Sequence, residues 1–569
     1  MKRKTFKSLL TLMGLILTLA FLSPPAEGKT TNALQLYPPL DKVWVDQSQI
    51  YIAGILQLPG TKEVKIEGVK VSSGETNVVP LKDGAFGVVI TLKKGLNRVT
   101  IEAKGLKKEV QIFYAPKGEK PPAGFKRLYV HSLPTRLDCS ECHPKRKGRL
   151  DFSLTLPVAS NCTTGGCHQE IKEAPHLHGP LKNNECIQCH NPHGSSNRNQ
   201  LVRQGRELCF ICHEGTKAEF EQRVVHPPGK DDCLNCHDPH GSKMEFHLKG
   251  EGNVSSVCFQ CHERRLFNRR YPHGPVADGE CIACHNHHGS AYDHLLSAPL
   301  KGGKICLTCH EDRKEEFSMA HVHQPVAESC ANCHDPHSSD YRYQLLKPSG
   351  QLCISCHKKL NPEVIATIKE AKYRHPSVEA GRCVDCHQPH TSNYEALLKD
   401  FEADLCFSCH KDLGREVRNA QYLHGPVQDG TCDACHNPHG SAFRRLLVRD
   451  FPPGFLTDYH PGKYDLCYSC HNKNVIEVKF TTVLTNFRDG NYNLHYAHVR
   501  RKNGNSCKAC HAIHASNQPK HIREKTEYRG LRKELRFQLT DTGGSCLVGC
   551  HKERKTYDRK HPQFKHPAK

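Results

Sequence analysis

A single tryptophan, Trp44, and four methionines serve a chain of 569 residues in which apolar types make up only 37%. Side chains of that kind are too few to fill a conventional core over this length. After the apolar run Leu9 to Leu22 no stretch approaches the length of a membrane span. Neither a basic helix nor an aromatic platform for stacked bases accompanies the formal charge of +21. A membrane-spanning protein and a nucleic-acid-binding protein are therefore not expected. Residues 30–118 contain no cysteine and no histidine, whereas the remainder is crowded with both.

The first residues read as a secretory leader over 1–28: basic Lys2, Arg3, Lys4 and Lys7, then the apolar run, Ser23-Pro24-Pro25, and a small-residue site at Ala26-Glu27-Gly28. No cysteine follows for lipid attachment. The expectation is a soluble, exported protein, periplasmic or at the cell exterior.

Thirty-two cysteines are present, and each belongs to a pair closed by a histidine. Fourteen pairs enclose two residues: Cys139/Cys142 before His143, Cys186/Cys189 before His190, Cys209/Cys212 before His213, Cys233/Cys236 before His237, Cys258/Cys261 before His262, Cys281/Cys284 before His285, Cys306/Cys309 before His310, Cys330/Cys333 before His334, Cys353/Cys356 before His357, Cys383/Cys386 before His387, Cys406/Cys409 before His410, Cys432/Cys435 before His436, Cys467/Cys470 before His471 and Cys507/Cys510 before His511. Two are stretched: Cys162/Cys167 before His168 and Cys546/Cys550 before His551.

Two thiols one helical turn apart can each form a thioether with one vinyl side of a porphyrin, and the next residue reaches the iron. Histidine suits that place because its neutral imidazole is a good axial ligand. Disulfides and zinc sites also use paired cysteines, but neither needs a histidine beside every second one. The expected cofactor is haem c, sixteen per chain, covalently attached. Such macrocycles would supply the buried apolar surface that the side chains lack, so this region should not fold without them. Without the leader the charge is about +18; thirty-two propionates and sixteen ferric centres bring it to about +2, and full reduction to about −14. The lysines and arginines thus read as propionate partners.

Residues 30–118 show short apolar alternations at Val43–Val45, Ile50–Ile55, Val64–Ile66, Val88–Leu92, Val99–Glu102 and Val110–Phe113, which predict a separate β-sandwich. The stretch Asp83-Gly84-Ala85-Phe86 through Leu92, Gly95, Asn97, Val99 and Ile101 resembles bacterial immunoglobulin-like modules of secreted proteins. A spacer or cap and a docking or adhesion module are both open for it.

From Tyr129 the chain repeats. Cys139, Cys186, Cys233, Cys281, Cys330, Cys383 and Cys432 stand 47 to 53 residues apart, with two motifs in each repeat. A repeat reads as a histidine near proline, a motif followed by Pro-His and a small residue, a Leu-rich stretch, and a second motif. Asn361 before Pro362 predicts a capped joining helix. Repeat eight is looser: Val475–Leu484 reads as strand, and the basic tail 552–569 as unstructured rather than a docking arm.

This His-x-Pro, CxxCH-x-Pro-His and trailing Leu-CxxCH pattern resembles the doubled-CXXCH class of multihaem cytochromes c, over about residues 129–551. The first repeat departs from it, with Pro144-Lys145-Arg146 in place of Pro-His. The spacing at Cys162 is similar to some sites in class III tetrahaem cytochromes. The resemblance implies low-potential bis-histidine haems and electron carriage in the periplasm or outside the cell. The expected fold is an N-terminal all-β immunoglobulin-like sandwich, then a haem-dominated, mostly coil and short-helix region built of about eight dihaem repeats.

Of 41 histidines, 25 lie outside the motif positions. Eight stand seven to nine residues before the first motif of a repeat: His131, His178, His226, His273, His323, His375, His424 and His498. Seven follow a motif histidine by three residues: His193, His240, His288, His337, His390, His439 and His514. These fifteen are the candidate distal ligands, with His176, His460 or His561 as the sixteenth. After the leader only Met244 and Met319 remain to compete, so potentials should be low. His190 and His193 are at most about 10 Å apart along the chain, too short a leash to grip one iron from opposite sides, so they should serve neighbouring haems.

An electron carrier rather than a catalyst is the favoured reading. Its donor would be another cytochrome or a membrane quinol-oxidising complex, and its acceptor extracellular or in the outer membrane. A multihaem reductase for nitrogen or sulfur oxyanions or a metal oxide is the alternative, and would need one iron with an open axial position. Self-assembly into a conductive filament is a third reading.

Overall fold

The computed structural model describes residues 33–72, 76–131, 140, 143, 145–150, 152, 161–164, 168–528, 531–548, 551 and 553–563. The expected leader and Cys139, Cys142, Cys167 and Cys550 lie outside the described residues. The chain divides into two compact bodies, Met1–Glu221 with His226–Gly252 and Gln222–Val225 with Asn253–Lys569.

The first body begins with a sheet-rich region whose strands follow from strict alternation of apolar and polar residues. They are β1 (Leu34–Tyr37), β2 (Val43–Val45), β3 (Gln49–Leu56), β4 (Glu63–Glu67), β5 (Lys70–Val71), β6 (Val78–Pro80), β7 (Ala85–Thr91), β8 (Gly95–Ala103), β9 (Leu106–Tyr114) and β10 (Lys126–Arg127). One antiparallel sheet runs β1-β3-β7-β5, the other β10-β2-β9-β8-β4-β6, where β2 is parallel to both β9 and β10. Ile50, Ile52 and Ile90 from the first sheet and Val64, Ile66, Val99, Ile101 and Ile112 from the second are fully buried in one shared core. At about 1.5–3 kcal/mol for each such side chain, this core can hold the two sheets together.

The second sheet runs beyond residue 118 to β10, and Arg127 explains why. Its guanidinium lies over the rings of Trp44 (4.9 Å) and Tyr129 (4.6 Å) and pairs with Asp46 at 2.7 Å. Within the same body Tyr129 then bridges to Ser195, and the rings of Tyr37 and His193 stand 6.0 Å apart.

The motif region is coil with turns and short helices, tied by two-residue antiparallel ladders between repeats. The segment before one repeat's first motif pairs with the segment after the next repeat's: His176–Leu177 with Gly241–Ser242, Val224–Val225 with Gly289–Ser290, Tyr271–Pro272 with Ser338–Ser339, His321–Val322 with Thr391–Ser392, and Tyr422–Leu423 with Ala515–Ser516. The backbones come close enough that a Cβ on Gly241 would stand 2.5 Å from the His176 carbonyl oxygen.

Three expectations are corrected. Val475–Leu484 is not a strand: Asn474–Glu477 is a helical turn, because the buried Asn493 amide donates to the carbonyls of Val475 and Val478. Asn361 does not cap Pro362–Glu370 through its side chain, because its carboxamide oxygen accepts from His357 Nδ1 at 2.8 Å. The basic tail is ordered in part. Lys555–Asp558 is the edge of an antiparallel sheet with Lys525–Tyr528, Leu531–Leu539 and Gly543–Val548, and its Tyr557 is buried.

Candidate metal centres

Each described first motif, from Cys186 onward, closes on itself as one tight turn. In Cys186–Gln188, the N–H groups of Cys189 and His190 donate to the Cys186 carbonyl at 3.2 and 3.0 Å. Residues three and four apart on such a turn share a face, so both thiols and the imidazole are offered together.

Spacing alone treats every regular cysteine pair alike, and here the structure disagrees. In second motifs the second cysteine is exposed, as at Cys212, Cys261, Cys309, Cys356, Cys409 and Cys470, whereas in first motifs it is half-buried, as at Cys189, Cys236, Cys284, Cys333, Cys386, Cys435 and Cys510. The cause is a returning backbone. After a first motif the chain folds over it, and the N–H groups of Lys249 and Arg523 donate to the carbonyls of Cys236 and Cys510, each at 2.8 Å. Cys261 and Cys470 keep the turn itself, their N–H groups donating to the carbonyls of Cys258 and Cys467 at 3.2 Å, but a helix or turn leads away from them. Cys546, in the last stretched site, lies in a strand rather than a turn, opposite Phe537 and Lys555.

The loop after the first motif also fixes the imidazole. Nδ1 of His190, His237, His285, His334, His387, His436 and His511 meets the carbonyl oxygen nine residues on, at 2.7 to 3.0 Å. The residues offering that oxygen are Asn199, Phe246, His294, Tyr343, Ala396, Arg445 and Lys520, and all have φ between +52° and +60°. None is glycine, although the left-handed conformation costs about 1–2 kcal/mol. With Nδ1 occupied, Nε2 is the atom free to bind metal.

A serine five residues after the motif histidine locks the same loop. The hydroxyls of Ser195, Ser290, Ser339, Ser392, Ser441 and Ser516 donate to the carbonyls of Leu201, Leu296, Leu345, Leu398, Leu447 and Ile522. Ser242 bonds Met244 instead, at 2.9 Å. These serines went unremarked in the sequence, although one recurs beside every post-motif histidine from His193 onward.

The histidines before the motifs are placed by proline. His178, His226, His273, His323, His375 and His424 are extended residues, each heading a helical turn with Pro in its first two positions. Proline's fixed φ starts the turn and aims the preceding side chain. Nδ1 of His178, His273 and His323 meets the carbonyl of Pro239, Pro336 and Pro389 at 3.0, 3.1 and 2.9 Å, so the proline of the next repeat's Pro-His orients them.

The candidate axial imidazoles meet two by two. Pre-motif histidines face the second motif of their own repeat: His131–His168, His178–His213, His273–His310, His323–His357, His375–His410, His424–His471 and His498–His551, with ring centroids 6.0 to 6.3 Å apart. Post-motif histidines face the first motif of the preceding repeat: His193–His143, His240–His190, His337–His285, His390–His334, His439–His387 and His514–His436, at 6.0 to 6.2 Å. His190 and His193 thus face different partners. The backbone N–H of His262 donates to the Cys258 carbonyl at 2.9 Å, and His288 precedes the strand Gly289–Ser290.

That spacing tests the fit to haem. An imidazole nitrogen about 2 Å from a metal puts its ring centre about 3 Å away, so two rings on opposite faces of one iron stand about 6 Å apart. The pairs fit this requirement, and in the described regular motifs the two thiols on one turn fit thioether attachment.

Burial holds His178, His193, His240, His337, His375, His390, His424, His439, His498 and His514 below the usual imidazole pKa. They are kept in the neutral form that binds metal. The three candidates for the sixteenth ligand, His176, His460 and His561, are all exposed. His561 is bound to the Asp489 carboxylate through Nδ1.

Neighbouring motifs touch in two alternating ways. Between repeats the first thiols lie within hydrogen-bonding reach, as in Cys162 with Cys186, Cys209 with Cys233, Cys306 with Cys330, Cys353 with Cys383, Cys406 with Cys432 and Cys467 with Cys507. Within a repeat the second cysteines are electrostatic neighbours, as in Cys189 with Cys212, Cys284 with Cys309, Cys333 with Cys356, Cys386 with Cys409 and Cys435 with Cys470. Cys236 and Cys261 belong to different bodies, and the counterpart of Cys510 in its repeat, Cys550, lies outside the described residues.

Six segments, 178–218, 226–266, 273–315, 323–362, 375–415 and 424–475, match the doubled CXXCH motif family. A stretch of 103 residues is 28% identical to the multiheme cytochrome MtrA of Shewanella baltica (strain OS185), covering 18% of this chain and 29% of that protein. Among solved structures, the S-layer protein SbsC domains 4 and 5 are 14% identical over 14% of this chain and 50% of theirs, with a TM-score of 0.12. Domains 5-6 of the same protein are 15% identical over 17% of this chain and 49% of theirs, with a TM-score of 0.13, too slight a likeness to bear on the fold.

Proposed function

The chain belongs to the doubled CXXCH motif family, whose paired motifs bind c-type haem covalently and serve electron transfer, and on that premise we propose that it is an electron conduit of sixteen bis-histidine haems working in the periplasm or at the cell exterior. The observation that carries the proposal is the alternation of contacts between motifs. Second cysteines adjoin within a repeat and first cysteines adjoin between repeats, so attachment points follow one another without a gap along each described run. When bound, haem supplies a one-electron iron couple. The chain's own residues set its ligands, their orientation and their spacing.

His226 and His288 keep their sequence-based assignment as distal ligands, and Cys236, Cys261, Cys470 and Cys510 theirs as thioether positions. The sheet-rich N-terminal region is an immunoglobulin-like module that caps the start of the repeat array, supported by the Tyr129–Ser195 bridge and the Tyr37–His193 ring contact, both of which reach the loop after the second repeat's first motif. The donor is a cytochrome or a membrane quinol-oxidising complex, and the acceptor lies in the outer membrane or beyond. No helix of the described residues is long and apolar enough to cross a membrane.

Low-temperature EPR of the fully oxidised, haem-loaded protein is the test. A conduit gives low-spin ferric signals that nitrite leaves unchanged. An integrating high-spin signal that shifts with nitrite would make the protein a reductase instead.

A further inference from the structure

The order of the imidazole pairs makes the two ends of the array special. In each described pair a post-motif histidine faces the first motif histidine of the preceding repeat, as His514 faces His436 at 6.2 Å. Repeat one has no predecessor to serve, which accounts for Pro144-Lys145-Arg146 where later repeats have Pro-His. By the same rule the ring that faces His511 would come from a further regular motif, and residues 512–569 hold none.

We propose that His495 is the distal ligand of the iron held by His511, and that the insertion between the last two regular motifs is a terminating device that completes the ligand set from within the chain. This inference rests on the bis-histidine reading above. His495 lies on the helix Leu494–Val499, whose start is fixed by Asn493. The Asn493 side-chain oxygen accepts from the N–H groups of His495 (3.0 Å) and Tyr496 (3.4 Å), while its amide holds the preceding turn. His495 and His498 are three residues apart and so share a helix face. His498 faces His551 at 6.2 Å, and one ring, Phe487, packs against both, 5.1 Å from His495 and 5.8 Å from His498.

The ring of His495 is oriented like a ligand. Its Nδ1 meets Thr485 Oγ1 at 3.2 Å, which leaves Nε2 for metal. His495 is withdrawn from solvent, and His511 and His498 are its electrostatic neighbours. His521 is excluded by direction. His511 Nδ1 is bonded to the Lys520 carbonyl at 3.0 Å, so its Nε2 points away from that turn, and His521 lies edge-on to His424 at 5.9 Å.

The test is EPR and haem content of the oxidised full-length protein and its variants. His495→Ala should show a high-spin ferric signal integrating to about one iron per chain, with unchanged haem content, and free imidazole should abolish it. His495→Met should stay low-spin while one couple moves to higher potential, because Met/His ligation raises it. The exposed His176→Ala, His460→Ala and His561→Ala should match the parent. A fully loaded His495→Ala that stays low-spin, or a high-spin signal in His460→Ala instead, overturns the inference. Should His495→Ala fail to load, an unchanged redox titration of His495→Met overturns it. A parent without low-spin signals would defeat the bis-histidine reading itself, whereas a low-spin parent with an unaltered His495→Ala defeats only the terminating role.

Discussion

The sheet-rich N-terminal region and the repeat array solve the same problem with opposite means. In the first, two sheets converge on side chains such as Ile52, Ile66, Val99 and Ile112, none of which retains any exposure. In the second, serine hydroxyls such as those of Ser290, Ser338 and Ser392 are among the groups most deeply withdrawn from solvent. Two-residue ladders and carbonyl-bound imidazoles take the place of a packed interior. The contrast shows what order requires in each case. A core of branched aliphatic residues is self-sufficient, whereas serine-locked loops only orient ligands and gain stability when something is bound.

The sharpest way to break this comparison is to withhold haem. Expressed without haem attachment, the chain should keep slow hydrogen exchange over residues 34–127 and lose protection throughout the repeats. Equal protection in both regions would end the distinction. Next in size, Ile101→Ala should destabilise the sheet-rich region by about 2–5 kcal/mol while leaving the haem spectrum intact. Trp44, the only tryptophan, sits in β2 and reports that unfolding by fluorescence. A parallel loss of haem absorbance would mean the two regions unfold as one.

Ser392→Ala removes the hydroxyl that donates to Leu398 and accepts from the Tyr394 N–H at 2.9 Å. A loss of about 1–2 kcal/mol is expected, read as faster exchange confined to the loop from His387 to Leu398. The smallest effect is at Ala396, whose φ is +52°. Ala396→Gly should be neutral to stabilising by up to about 1 kcal/mol, strain relief being partly offset by the freer unfolded chain, and Ala396→Val should destabilise. Thermal unfolding of the haem-loaded variants gives the sign of each.

Much of this architecture was legible in residue patterns, but unevenly. The six strands anticipated between Val43 and Phe113 all occur, because alternation over a buried face is a local property of the sequence. The edge β10 was missed because Lys126 and Arg127 carry no apolar alternation; Arg127 is held by Trp44, Tyr129 and Asp46, which are distant or ambiguous in sequence. Asn361 and Asn493 illustrate the same limit. One looked like a helix cap and instead orients His357, while the other turns an apolar run away from strand by binding its carbonyls. The unlike exposure of Cys236 and Cys261, identical in motif, has the same origin, since only the first is covered by a loop that returns from Lys249.

Spacing by itself marks which cysteines and motif histidines are suited to attach and hold haem, since thioether formation and proximal ligation depend on residues within one turn of chain. The repeat length, the proline that opens each helical turn after a pre-motif histidine and the alternation behind the core of the sheet-rich region are likewise written locally. Which imidazole faces which was decided only in three dimensions. Ladders between successive repeats carry post-motif histidines such as His337 back to the preceding repeat, and left-handed turns at residues as unlike as Asn199, Tyr343 and Lys520 aim the facing ring. Residue type does not encode those turns, because the carbonyl bond to Nδ1 stabilises them, and that bond exists only once the loop has closed.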